Sequence, residues 1–257
     1  MTEALVVVTR PAAQAAELAQ RIAESGRQVV QFPLLEILPT PDPARLREAL
    51  SEVERYALVA FVSPNAVDAA LAARPDWPRQ VPLAVVGEGS RAALARYGLD
   101  DAHCTIHSPR DPERSDSETL LAELDLAALR GREVLIVRGE TGRELLGDAL
   151  RAAGVHVTPV AAYRRVAPEL TPARRDELIR LLDGQNEWIV TSSEALRFLL
   201  RMVEQLGQTG GVAKMQQQRL VVPHMRIAET ARSLGFTRIV QTRSGDDGLL
   251  AALQSLS

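Results

Sequence analysis

Tyr56-Ala57-Leu58-Val59-Ala60-Phe61-Val62-Ser63-Pro64-Asn65-Ala66 reads as a short apolar strand running straight into a helix start. Leu58–Val62 is a continuous run of the kind that fills a buried parallel strand. Ser63 then caps a helix whose first position is Pro64. The same order returns in Glu187-Trp188-Ile189-Val190-Thr191-Ser192-Ser193-Glu194-Ala195, with Ser192 lying 129 residues after Ser63. Working outward, Leu5-Val6-Val7-Val8-Thr9-Arg10 matches Leu135-Ile136-Val137-Arg138, an offset of 128 from Arg10 to Arg138. Ser117-Glu118-Thr119-Leu120-Leu121 matches Asp246-Asp247-Gly248-Leu249-Leu250 at 129. A unit of this length, present twice, is a doubled domain rather than a solenoid repeat. Two similar lobes imply a cleft between them, and clefts bind ligands.

Ten short strands are expected, five per copy: Leu5–Thr9, Gln28–Phe32, Leu58–Val62, Leu83–Val86, Cys104–His107, Val134–Val137, His156–Val160, Trp188–Thr191, Leu220–Val222 and Ile239–Gln241. Helical-period stretches follow most of them, as in Pro11–Ser25 before Gly26 and Leu145–Ala153 before Gly154. Strands alternating with helices give an α/β fold of parallel sheets. Two segments break the rhythm after the second strand of each copy. They are Phe32-Pro33-Leu34-Leu35-Glu36-Ile37-Leu38-Pro39-Thr40-Pro41-Asp42-Pro43 and Pro159-Val160-Ala161-Ala162-Tyr163-Arg164-Arg165-Val166-Ala167-Pro168. Fenced by prolines, both read as extended linkers. Two architectures fit. The lobes lie consecutively, splitting near Arg130-Gly131, or the chain crosses at the first linker and returns at the second. The position of the linkers favours crossing, with residues 1–35 plus 167–257 in one domain and 36–166 in the other.

The chain has 257 residues, a formal net charge of −3 and one cysteine, Cys104. Such a charge gives no reason to expect nucleic acid or an anionic membrane as partner. One cysteine excludes an internal disulfide, and Met1-Thr2-Glu3 opens no signal-peptide pattern; both point to the cytoplasm. The only lysine, Lys214, lies in Gly207–Gln218, which reads as a mobile surface loop and makes Schiff-base chemistry a poor option.

The strand-to-helix turns are small and polar: Thr9-Arg10-Pro11, Ser63-Pro64-Asn65, Gly87-Glu88-Gly89-Ser90, Arg138-Gly139-Glu140, Thr191-Ser192-Ser193-Glu194, Pro223-His224-Met225-Arg226 and Thr242-Arg243-Ser244. In a parallel sheet they lie at the carboxyl edge, where ligands bind, and helix starts attract carboxylate or phosphate. Each alone is explained by helix capping. Taken together they read as an anion site. Gly87-x-Gly89-x-x-Ala92 has dinucleotide-fingerprint spacing but follows a fourth strand, not a first one. His103, Cys104 and His107 lack a further ligand at metal spacing, so surface or core roles outweigh a metal site. Aligning Pro159 with Pro33 sets Tyr163 opposite Ile37. A phenol in one linker where the other has an aliphatic side chain is a candidate proton donor, weighed evenly against a tyrosine that merely packs its ring.

These pieces carry a resemblance along the whole chain. Val8-Thr9-Arg10-Pro11, Phe32-Pro33-Leu34-Leu35-Glu36-Ile37, Phe61-Val62-Ser63-Pro64-Asn65-Ala66-Val67, Val85-Val86-Gly87-Glu88-Gly89-Ser90, Leu135-Ile136-Val137-Arg138-Gly139, Tyr163-Arg164 and Thr191-Ser192-Ser193 resemble uroporphyrinogen-III synthases in order and spacing. The resemblance implies two flavodoxin-like domains joined by a two-stranded β linker. It also implies cyclisation of linear hydroxymethylbilane, with loss of water and inversion of the last pyrrole ring, without metal or organic cofactor. Tyr163 matches the family tyrosine that assists hydroxyl departure. The expected substrate contacts are Thr9, Arg10, Ser63, Asn65, Gly87, Ser90, Arg138, Gly139, Ser192, Ser193 and Arg226. The expected partner is the small-molecule tetrapyrrole substrate, for a monomer with at most a transient contact to the preceding pathway enzyme. Pro223-His224-Met225-Arg226 departs from the glycine and hydroxyl residue common at that turn, and Arg226 is read as a carboxylate partner there. A two-lobed sensor that binds an anion without chemistry is the rival reading.

Overall fold

A computed structural model of the chain describes residues 4–110 and 117–256; Met1-Thr2-Glu3, read above for a leader pattern, lies outside them. The chain runs β1 (Val6–Val8), α1 (Ala12–Glu24) and β2 (Val29–Gln31), then β3 (Glu36–Pro39) and α2 (Pro43–Ser51). It continues through β4 (Leu58–Phe61), α3 (Pro64–Ala73), β5 (Leu83–Val85), α4 (Glu88–Arg96) and β6 (Ile106–His107). After α5 (Ser117–Ala122) and α6 (Leu126–Leu129) come β7 (Glu133–Gly139), α7 (Leu145–Ala152) and β8 (His156–Val166). The last stretch holds α8 (Pro172–Asp183), β9 (Glu187–Ile189), α9 (Ser193–Leu206), α10 (Gly211–Gln216), β10 (Arg219–Val222), α11 (Met225–Ser233), β11 (Arg238–Gln241) and α12 (Asp246–Ser255).

Two compact units form, Met1–Glu36 with Val166–Ser257 and Ile37–Arg165. The first is built on a five-stranded sheet of order β11-β10-β9-β1-β2. Its strands pair in parallel, Val7 standing between Val30 and Trp188. Because β1 pairs with β9, the split near Arg130-Gly131 is not the one the chain adopts. Alternation divides this sheet's side chains between two faces. Val7, Trp188, Val190, Leu220 and Val222 pack with α8, α9, α10 and α11, whereas Val6, Val8, Ile189 and Val221 pack with α1 and α12. Helices on both faces explain why these strands read as continuous apolar runs rather than alternating ones.

The second unit has a six-stranded sheet of order β3-β8-β7-β4-β5-β6. Val59, Phe61, Leu135 and Val137 pack under α2, α3 and α4, and Leu58, Ala60, Val134 and Ile136 under α5 and α7. Set aside β3, and the two sheets have one layout. The strands β8-β7-β4-β5-β6 stand in the places of β2-β1-β9-β10-β11, the flavodoxin-like order with the first two strands moved to the end of the segment. That is the duplication read in the sequence, now seen as a permuted pair of α/β sheets.

Two expectations need correcting. The segment Pro159–Pro168 is not a linker separate from the seventh expected strand. His156–Val166 is one strand of 11 residues, with Pro159 paired to Ile136 inside it. β3 lies directly beside β8 at the edge of the second sheet. Gly207–Gln218 is not a loop throughout. Gly207 and Gly210 take left-handed backbone at φ 65° and 78°, ending α9 and opening α10, and Met215 anchors α10 in the core.

The first proline-fenced segment is pinned at its start. The Arg174 guanidinium stacks 4.1 Å above the Phe32 ring and donates to the Pro33 carbonyl. Burial pushes the Arg174 pKa down, against the opposing pull of Glu177 and Glu36.

Candidate functional site

In a doubly wound sheet, the crevice lies where adjacent strands send their helices to opposite faces. In the second unit that point is between β7 and β4, since α7 and α3 lie on opposite faces. The residues at the two carboxyl ends are Arg138-Gly139 and Ser63. Alternation along β7 then separates the pair. Arg138, 9% exposed, follows Ile136 toward the α7 face and ion-pairs with Glu144 at the start of α7. Gly139 follows Val137 toward the α3 face, where Tyr163 lies.

Tyr163 reaches that face through a register change. β8 pairs Arg138 with Ala161 but Gly139 with Tyr163, so Ala162 is a bulged residue. Without the bulge, the period of two would turn Tyr163 away from Val160 and Ala162. With it, Val160, Ala162 and Tyr163 all join the same core cluster. The ring is 4% exposed, and its hydroxyl lies 3.0 Å from Ser63 Oγ. Gly139 makes room for it. A Cβ there would stand 3.0 Å from Tyr163 Cζ and 3.2 Å from its hydroxyl. Tyr163 thus packs its ring in this cluster, and its hydroxyl is engaged with Ser63.

The neighbouring turns lie along the same edge. Ser63 caps α3, accepting from Ala66 N–H at 3.2 Å, and Asn65 sits in the first turn. Gly87 precedes α4, with its carbonyl accepting from Ser90 and Arg91 N–H at 3.1 Å. Ser90 is buried at 3% exposure. A Cβ on Gly89 would come within 3.4 Å of Pro64, so the two helix starts pack against each other. On the other side of Arg138 lies a cavity of about 310 Å³, whose charged lining is Asp42, Arg45, Arg138, Glu140 and Glu144. Within that lining Arg138 is already paired with Glu144.

The first unit repeats the arrangement with different chemistry. Its switch point is between β1 and β9, and Thr9-Arg10 and Ser192 lie in the turns that follow those strands. Thr9 is buried, with Oγ1 donating to the Ile189 carbonyl at 2.7 Å. Arg10 pairs with Asp246 at 2.6 Å. Ser192 caps α9, accepting from Glu194 and Ala195 N–H. Ser193 donates to the Arg226 carbonyl at 3.4 Å and accepts from Thr230 at 3.0 Å, which ties the β9 and β10 turns together. Arg226 is exposed beside His224, whose Nδ1 caps α11 by accepting the Arg226 N–H at 3.1 Å.

Sequence reading missed the carboxylates that hold the two candidate arginines. Glu144 and Asp246 both stand at helix starts, where acids are favoured, and that is the signal available for them. His103 Nδ1 lies 2.6 Å from Asp100 Oδ1, which holds that carboxyl below its usual range, and burial raises the Cys104 thiol pKa.

A family model described as uroporphyrinogen-III synthase HemD matches residues 16–251. The chain belongs to the uroporphyrinogen-III synthase family. A uroporphyrinogen-III synthase of Escherichia coli K12 is 32% identical over 97% of this chain and 99% of its own length. One from Synechococcus elongatus is 31% identical over 79% of this chain and 76% of its own. Among solved structures, the uroporphyrinogen-III synthetase of Helicobacter pylori 26695 superposes with a TM-score of 0.64 at 16% identity, covering 99% of this chain and 100% of that one. A mutant synthase from Thermus thermophilus gives 0.61 at 14%, covering 98% of both chains. Both likenesses speak to the two-domain α/β fold. Membership in the uroporphyrinogen-III synthase family makes the chain an enzyme of tetrapyrrole and heme biosynthesis, and it does not favour the sensor reading. No helix among the described residues is long and apolar enough to cross a membrane.

Proposed function

We propose that this enzyme is a cyclising hydro-lyase that converts linear hydroxymethylbilane to uroporphyrinogen III. The observation that carries the reading is the match to a curated synthase over 97% of the chain. The Tyr163 hydroxyl, held beside Ser63 and Gly139, supports it chemically.

In this reading the phenol gives its proton to the departing hydroxyl as the C–O bond breaks and its electron pair leaves with oxygen. Water departs, and the pyrrole nitrogen lone pair stabilises the azafulvene cation that remains. Attack by the last ring through its substituted carbon gives a spiro intermediate, which opens and recloses with that ring inverted. A pyrrole carbon then loses a proton as aromaticity returns, and the phenolate takes it up. The bilane ionises unaided, so the protein's larger task is to hold the chain in the conformation that leads to inversion. The helix starts at the strand ends and the exposed Arg226 are suited to the substrate's carboxylates, whereas Arg10 and Arg138 would first have to leave Asp246 and Glu144. The single cysteine supports a cytoplasmic setting, and the net charge of −3 supports a small-molecule rather than nucleic-acid partner.

Supplied with freshly prepared hydroxymethylbilane, the purified protein should shorten its lifetime in proportion to protein concentration. A lifetime equal to that in buffer contradicts the reading.

A further inference from the structure

Ser63 Oγ serves two partners. It accepts from the Ala66 N–H at 3.2 Å as the cap of α3, and it lies 3.0 Å from the Tyr163 hydroxyl. Its duplicated counterpart provides a comparison inside the same chain. Ser192 Oγ accepts from two backbone donors, Glu194 N–H at 3.2 Å and Ala195 N–H at 3.4 Å. Both serines cap a helix that follows a parallel strand, but the second partner of Ser63 is a phenol. Two further departures from regular structure serve the same hydroxyl. The bulge at Ala162 turns Tyr163 onto the α3 face, and the missing side chain at Gly139 lets Cζ approach. Packing alone asks for none of this, since phenylalanine would fill the same ring space.

We infer that Ser63 is a positioning residue for the Tyr163 phenol. The inference rests on Tyr163 being the proton donor of the proposed reaction. Ser63 fixes the phenol oxygen at a helix start, and when the phenol has given its proton to the leaving hydroxyl, the Ser63 O–H donates to the phenolate left behind. The phenolate recovers its proton from the pyrrole carbon that loses one at the end of ring closure. Ser63 neither gains nor loses a proton overall. Its other hydrogen bond, to Ala66 N–H, keeps the oxygen in place through the cycle.

A double-mutant cycle tests this, with Ser63→Ala, Tyr163→Phe and the pair together assayed on freshly made hydroxymethylbilane, alongside thermal midpoints. Ser63→Ala should lower kcat by about fivefold to tenfold with KM changed less than about twofold. The pair should be no slower than Tyr163→Phe alone, because the serine acts only through the phenol. The thermal midpoint of Ser63→Ala should drop as a lost helix cap requires, so stability and kcat separate in the cycle. Ser63→Thr should restore most of kcat. Ser63→Gly keeps the helix start at small cost and should be as slow as Ser63→Ala, which removes capping as the cause. Losses that multiply in the pair, or full kcat in Ser63→Ala beside a slow Tyr163→Phe, overturn the role of Ser63 and leave that of Tyr163 standing. Full kcat in Tyr163→Phe overturns the tyrosine's role and this inference with it.

Discussion

Tyr163 is where one hydroxyl has the most structure arranged around it. Replacing it with phenylalanine keeps the ring packed and removes only the proton donor. The kcat should fall by about a hundredfold, the low end for a positioned general acid, with product affinity nearly unchanged. Turnover assays and titration with uroporphyrinogen check the two parts separately. Gly139→Ala probes the same point by sterics. Its Cβ would stand 3.0 Å from the Tyr163 ring, so the ring must move, at a cost of about 1–3 kcal/mol for overpacking. Displacing the phenol should lower kcat by about tenfold or more. A Gly139→Ala protein that turns over normally would show that the phenol's position is not critical. The sequence allowed Tyr163 to be singled out by aligning Pro159 with Pro33, which set it opposite Ile37. The strand register instead puts Pro159 in the place of Gln31, and Ile37 packs in the same unit as Tyr163. The sequence did not allow the partner to be found. Ser63 and Tyr163 are 100 residues apart, and they meet only because of a bulge that no local pattern announces.

At the scale of elements, the strands and turns were readable because buried parallel strands are runs of valine, leucine and isoleucine that end in helix caps. Boundaries were less readable. β6 is two residues long although four were expected, and β8 is longer than expected because extended chain inside and outside a sheet has the same composition. α10 escaped notice since its flanking glycines resemble a loop, while Met215, which holds it down, is a single apolar residue. Charge buried at a strand end was also invisible in the sequence. Glu187 opens β9 at 2% exposure and accepts from Arg27 at 2.9 Å and Arg219 at 2.8 Å. Arg27 also donates to the carbonyls of Ala4 and Leu253, so this pair ties the start of the chain and α12 to the sheet. Glu187→Ala leaves the buried Arg27 without its counter-charge and should cost about 3–5 kcal/mol. Urea unfolding checks it, and a midpoint equal to the parent protein's contradicts it.

For the whole molecule, the repeated text and the repeated sheet order are the same fact in two forms. The second sheet carries its first two strands last, and this is why Leu5–Arg10 aligns with Leu135–Arg138 while Tyr56–Ala66 aligns with Glu187–Ala195. Each sheet has its switch point, and each places an arginine and a capping serine there: Arg10 with Ser192, Arg138 with Ser63. The tyrosine is added to one of them. Duplication made the shared scaffold legible, and the differences between copies pointed to the chemistry, but the substrate's identity came only from family likeness. The central claim is therefore control over which macrocycle forms. Its most direct test is to close freshly made hydroxymethylbilane with the purified protein, oxidise the products and resolve the uroporphyrin isomers by chromatography. Type III should be the dominant isomer, its share rising with protein concentration as the enzyme outruns spontaneous closure; type I alone at every concentration would show that the protein exerts no such control.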